Sequence, residues 1–420
     1  QLRYSVSVQI YLFYRRIFMY FNSCMLSKKI YRFCIKFFLT LKNCESWRGK
    51  HPYHEGFSKE DKEALNAIIF LILVPIFMKE HNISCDTVGF PLLVLRRLII
   101  KYSLWDAKPE NKAYFKERIP NFDEKVNNYA FGKCSDNTSY EFTSWLFEAE
   151  SKIDPKTREC YDIAKAIATL IEFEEVEDEI RSDVKEETKA RVYESIGKYI
   201  PNYPFIKDII EHNGEYSELL DLLHSLSWAR YTFRWQNYSC PVKCSILTHM
   251  LESAILGYFM FIEEHLDELR NSDAATNPEL YHGLEKAFTV MLFHDIAEIW
   301  TDDIPSPAKD GLGIREAAEE QELLALDEHF YAKLPKHVQD YFKAGIMLED
   351  EANKASKAFY KTADYFSADL EIIWNIRDGG RDERFWKVLN KSCRKDYRTP
   401  IGHETLEFYI EQFKDIKFFE

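Results

Sequence analysis

Between residues 247 and 262 the apolar side chains Leu247, Leu251, Ala254, Ile255, Tyr258 and Ile262 return at steps of three and four, the spacing of one helix face. That period dominates from residue 60 onward, and strand-like alternation is scarce. Glycine and proline number only 14 each in 420 residues, too few for a loop-rich sandwich or propeller. An all-α fold is therefore expected. Turn signals such as Asn202-Tyr-Pro204, Asp303-Ile-Pro-Ser-Pro307 and Asp378-Gly-Gly380 read as short connections between helices. The length fits two or three domains of about 150 residues.

Charge is distributed unevenly. Residues 1–50 hold ten Lys/Arg against the single acid Glu45, a balance of +9, so the rest of the chain carries −23 of the net −14. A body this acidic repels nucleic-acid backbones, and no duplex partner is expected. A local basic pocket for a small phosphorylated ligand stays open. The acidic stretch Glu172–Glu187 reads as a solvated helix face.

Nine cysteines scattered from Cys24 to Cys393 read as reduced thiols of a cytoplasmic protein. Cys240 and Cys244 lack the two-residue spacing of a zinc knuckle. No uninterrupted apolar run reaches the roughly 18–20 residues of a membrane span. The longest candidate, Ala67 to Met78, contains Pro75 and reads as a core helix. The first residues alternate aromatics with Arg and Lys and lack a cleavage site after an apolar core, so a secretory signal is not expected. They read either as a membrane-surface arm or as a non-native or upstream-translated extension with Met25 as the start.

The chemistry concentrates in the C-terminal half, in His249, the pair His294-Asp295 and Asp364. His249 stands opposite the apolar stripe of its helix, between Ser245 and Ser253. On a helix ending at Trp300, His294, Asp295 and Glu298 would share an arc of about 100°. Burying unpaired carboxylates costs several kcal/mol each, so a cluster of this kind needs a neutralising cation or strong hydrogen-bonding partners. Two histidines and two aspartates offer nitrogen and oxygen donors with a charge of −2, which suits one divalent ion of Mn, Co, Zn, Fe or Ni.

These residues resemble the metal-binding motif of the HD-domain metal-dependent phosphohydrolase superfamily. The run Phe293-His-Asp-Ile-Ala-Glu-Ile-Trp-Thr-Asp-Asp-Ile-Pro-Ser-Pro-Ala-Lys309, with Arg234-Trp235 some fifteen residues before the first histidine, is similar to its 5′-deoxynucleotidase (YfbR-like) branch over about residues 225–415. The resemblance implies an all-helical fold that removes phosphate from deoxynucleoside 5′-monophosphates. His249, His294, Asp295 and Asp364 would be the metal ligands. Glu298 would orient or deprotonate the attacking water, and Asp303 would sit near the sugar and the water. Arg234 would hold the phosphate and Trp235 would pack near the nucleoside. Thr248 departs from the branch, which usually has a glutamate there, and this bears on substrate range.

The expected organisation is a basic aromatic N-terminal extension over residues 1–55, a helical domain over 56–215 and a catalytic HD domain over 216–420. Phe90–Leu98 can be laid over Phe288–Ile296, and Tyr161–Lys165 over Tyr360–Asp364, which would make the helical domain a degenerate copy of the catalytic one. Leu65, Arg96, Arg97 and Lys165 would then occupy the ligand positions. Two readings compete with the monophosphatase. One is another HD phosphohydrolase, acting on nucleoside triphosphates, cyclic nucleotides or alarmones. The other is a non-catalytic regulatory protein with a structural metal. Homodimerisation is common among small nucleotidases of this kind and is a further expectation.

Overall fold

The computed structural model describes residues 36–42, 45–46, 57–104, 109–138, 140, 143–144, 146–148, 153–272, 276–302, 304, 306–348, 350–354, 356–392, 407 and 411. The fold is all-α. Apart from helices, the described residues hold one short antiparallel pair, β1 (Glu45–Ser46) and β2 (Phe57–Ser58), with Glu45 opposite Ser58.

Ser58 ends β2 and caps α1 (Lys59–His81). Its hydroxyl accepts the Asp61 N–H at 2.8 Å while Asp61 Oδ2 accepts the Ser58 N–H at 3.3 Å, a reciprocal capping box. The helix ends at Asn82, whose left-handed backbone (φ 52°) lets its N–H reach the last carbonyls. From Ala67 to Phe77 every side chain of α1 is buried, as expected of a helix that is apolar all round. It packs on α2 (Phe90–Leu104), α3 (Pro155–Val176) and α4 (Ile246–Glu264).

Helix α4 runs against α5 (Pro278–Thr289) and α7 (Lys357–Arg377), with the four-residue α6 (Glu298–Thr301) between those two in sequence. The crossing of α4 and α5 depends on Gly257, where a Cβ would lie 2.8 Å from the Ala287 carbonyl oxygen. The buried apolar residues form one contiguous cluster from Phe37 to Leu389.

Two expectations need correction here, and one needs an addition. Helix α5 stops at Thr289, and residues 290–297 are turns rather than the continuous helix to Trp300 expected around His294-Asp295. The N–H groups of Phe293, Ile296 and Glu298 reach back only three residues, to Val290, Phe293 and Asp295. Apolar spacing is the same in a helix and in tight successive turns, so it could not mark the break.

Second, α1 and α4, at 23 and 19 residues, are long and apolar enough on average to cross a membrane, although no strict apolar run is. The most apolar 18-residue stretches of these helices are 78% and 89% buried inside the protein, and both helices carry buried charged residues, Glu60 and Glu63 in α1 and Glu252 in α4. Third, Glu172, the first acid of the stretch read as solvated, is fully buried.

Residues 36–42, inside the segment read as an extension, are helical, with Phe37, Phe38 and Leu41 wholly buried. Lys42 Nζ lies 2.7 Å from Glu252 Oε1 on α4 and 3.8 Å from Glu60 Oε2 on α1, and donates to the Thr248 hydroxyl at 2.9 Å.

Candidate metal centre

Three separate pieces of backbone bring the site together. Ser245 caps α4 by accepting the Thr248 N–H at 3.1 Å, and His249 follows on the first turn, fully buried. The turn after α5 supplies His294 and Asp295, and α7 supplies Asp364. One donor atom from each of His249, His294, Asp295 and Asp364 lies within 4.8 Å of the others, the only such group among the described residues.

The imidazoles are fixed from behind. His249 Nδ1 lies 2.9 Å from Glu371 Oε1, and His294 Nδ1 lies 2.7 Å from the Met291 carbonyl. A carbonyl can only accept, and so can an ionised carboxylate, so each Nδ1 carries the proton and each Nε2 faces the centre. His249 Nε2 is 3.1 Å from Asp364 Oδ1 and 3.5 Å from Asp295 Oδ2. His294 Nε2 is 3.2 Å from Asp295 Oδ2 and 3.7 Å from Asp364 Oδ1, and this buried atom has no partner of hydrogen-bond geometry. Two inward lone pairs and two carboxylates around one point suit a divalent ion.

The electrostatics agree. Burial pulls the His294 pKa down, but Asp295 and Asp364 outweigh it and leave it well above its ordinary value. Burial would raise Asp364, yet His249 and His294 hold it well below the usual carboxylate range. The carboxylate pair demands positive charge at this point, which a proton or a metal can meet.

Glu371 was not singled out from the sequence, although it organises the site. It is fully buried on α7, two turns after Asp364. Besides His249 it accepts from Trp235 Nε1 at 2.6 Å and from Arg234 Nε at 3.3 Å. Burial would raise its pKa, but Arg234 and His249 hold it down at about 2. The other end of Arg234, Nη1, donates to Asp295 Oδ2 at 3.2 Å, which sets the guanidinium at the edge of the cluster. Trp235 has a left-handed backbone (φ 63°), uncommon for a bulky residue, and its indole is held by Glu371 and by edge contact with Phe385 at 5.8 Å.

Glu298 opens α6 with its N–H bonded to the Asp295 carbonyl at 3.1 Å, and its side chain is largely buried. Asp303 lies outside the described residues. Cys240 and Cys244 are free thiols. His329 stacks on Trp300, and His337 lies 3.8 Å from Glu215, so both have other neighbours.

This all-helical scaffold gathers one group of nitrogen and oxygen donors, and the comparisons with known proteins support a nucleotide phosphohydrolase family for the part of the chain that carries it. Residues 221–415 match the family model described as 5′-deoxynucleotidase YfbR-like, which establishes the resemblance read from the sequence for the C-terminal part of the chain. A curated relative, 5′-deoxynucleotidase PM0747 of Pasteurella multocida (strain Pm70), is 24% identical over 187 residues, covering 43% of this chain and 87% of that protein. No solved structure gives a significant match.

Proposed function

We propose that this protein is an HD-type, divalent-metal-dependent phosphomonoesterase that removes phosphate from deoxynucleoside 5′-monophosphates, with residues 216–420 as the catalytic unit. The observation that carries the reading is the meeting of His249, His294, Asp295 and Asp364 within 4.8 Å, with the Arg234 guanidinium on its edge. Those four side chains would hold the ion. A bound divalent ion lowers the pKa of water and polarises a phosphoryl oxygen.

The remaining steps belong to the chain's own groups. Arg234, anchored through Nε and Nη1, presents a planar cation to a phosphate in an otherwise acidic molecule. Glu298 is the carboxylate assigned to take the proton from the attacking water. Asp303 is assigned to the sugar side, and Trp235 to the nucleoside. The acidic surface argues against a duplex partner.

Hydrolysis of the four common deoxynucleoside 5′-monophosphates with Mn or Co, alongside triphosphates and cyclic nucleotides, tests the substrate class. The Glu298→Gln variant should lose about 100- to 10,000-fold in kcat while still binding metal. Full turnover in that variant would remove Glu298 as the base. Metal binding without hydrolysis of any nucleotide in the wild type would favour a structural ion in a regulatory protein.

A further inference from the structure

Helices α1 and α4 begin alike. Ser58 and Ser245 cap them, each accepting the N–H three residues on, from Asp61 and Thr248. The caps also touch, because Ser245 Oγ donates to Asp61 Oδ1 at 2.6 Å. Counted from the caps, the fourth helical residue is Lys62 in α1 and His249 in α4. Lys62, not the Leu65 expected from the sequence overlay, is therefore the counterpart of His249.

The parallel extends to the supporting residues. Lys62 is ion-paired with Glu172 on α3, as His249 is bonded to Glu371 on α7. Glu172 follows Lys165 by seven residues, and Glu371 follows Asp364 by seven. Arg230 Nη1 lies 3.5 Å from Glu172, and Arg234 Nε lies 3.3 Å from Glu371, so one connecting segment sends an arginine to each acid. The overlay of Phe90 on Phe288 sets Arg96 and Arg97 against His294 and Asp295, and those two phenylalanine rings meet edge to face at 5.9 Å.

From this arrangement we propose that the N-terminal half is a charge-inverted copy of the metal centre, with Lys62, Arg96, Arg97 and Lys165 in the four ligand positions. The site takes a phosphate-bearing anion where its counterpart takes a cation. It is separate from the hydrolytic site and does not depend on the hydrolase reading.

The charges around it are unequal. Buried Glu63 on α1 forms the floor, accepting from Tyr161 and paired with Lys101 and, at 3.3 Å, with Arg97. Lys165 pairs with Asp162. The acids Glu63, Asp162 and Glu172 thus face Lys62, Arg97, Lys101, Lys165 and Arg230, while the Arg96 guanidinium reaches Asn127 at 3.3 Å and the Phe147 ring at 4.9 Å.

The balance differs among the cations: burial would lower Arg97, but Glu63, Tyr161 and Asp162 hold it above its ordinary value. Burial, with Arg97 and Lys62 alongside, outweighs Glu63 and brings Lys101 down to about 8. Burial, Arg158 and Arg97 bring Arg96 down to about 10. Added negative charge beside Glu63 relieves Lys101. The side chains of Lys62, Arg97, Lys101 and Lys165 keep between 19% and 29% of their surface exposed, so a ligand can reach them from solvent.

Equilibrium dialysis of the full chain against labelled inorganic phosphate tests the site. The protein is stripped of metal and carries Arg234→Gln, so that the hydrolytic centre contributes no anion binding. One phosphate per chain is expected, with affinity lowered about tenfold by Lys165→Gln and largely retained in Lys165→Arg, which keeps the charge. Absence of saturable binding up to roughly 10 mM phosphate would overturn the proposal. So would binding that Lys165→Gln leaves unchanged, or equal loss in the Gln and Arg variants. None of these outcomes touches nucleotide hydrolysis by the wild type, so the two readings fail separately.

Discussion

Two neighbouring regions of this molecule solve the same burial problem with opposite charges. Around His249, two carboxylates converge on a point that a proton or a metal can neutralise, with the Arg234 guanidinium at its edge. Around Glu63 and Glu172, buried carboxylates are instead outnumbered by lysines and arginines. In both regions a buried glutamate on a long helix anchors an arginine from the segment before α4, Arg230 to Glu172 and Arg234 to Glu371. The scaffold therefore fixes where charge is needed, and the side chains at four positions decide its sign.

The largest effect that would break this comparison is expected at the cluster itself. Asp364→Asn should cost about a thousandfold or more in turnover and most of the bound metal, read by metal analysis and nucleotide hydrolysis. Replacing either anchoring glutamate sharpens the contrast. Glu172→Gln leaves Lys62 and Arg230 without their buried counter-charge and should cost about 3–5 kcal/mol in urea unfolding, with metal affinity intact. Glu371→Gln should weaken metal binding by about 10- to 100-fold in a calorimetric titration and raise KM for the monophosphate, because it releases His249 and Arg234 together.

A smaller effect concerns pH. Burial would raise Glu63, but Lys101 and Arg97 outweigh it and hold it down at about 2. Its folded pKa lies below the value near 4.3 of an unfolded chain. Its ionised form therefore stabilises the fold fully above about pH 4, and that contribution is lost as pH falls toward 2. Urea midpoints of wild type and Glu63→Gln measured between pH 5 and 3 should converge on the acidic side.

Much of the candidate metal centre was legible because its donors are rare residue types in apolar surroundings. His249, His294, Asp295 and Asp364 meet as expected, and Arg234 and Trp235 stand beside them. Glu371 escaped notice because an acid seven residues after another on one helix face is commonplace, and only tertiary contact shows what it holds. The buried Glu172 was hidden at the head of an acidic run, where composition suggests solvent. The break after Thr289 was invisible because its apolar spacing fits a helix equally well. Lys62 was passed over because sequence overlay aligned side-chain types, whereas the serine caps set the helical register.

The ion pair beneath α4 bears on how this protein can be divided. Lys42, its side chain only 4% exposed, is the ammonium shared by the fully buried acids Glu60 and Glu252. A fragment starting after residue 42 would leave those two acids without that cation, a few residues from His249 in the case of Glu252. An excised C-terminal fragment starting near residue 216 would instead bare the flank of α4 that α1 covers, leaving Glu252 without its ammonium and Ser245 without Asp61. The N-terminal helices thus act as a foundation for the C-terminal half, and biochemical dissection should proceed by point substitution in the intact chain.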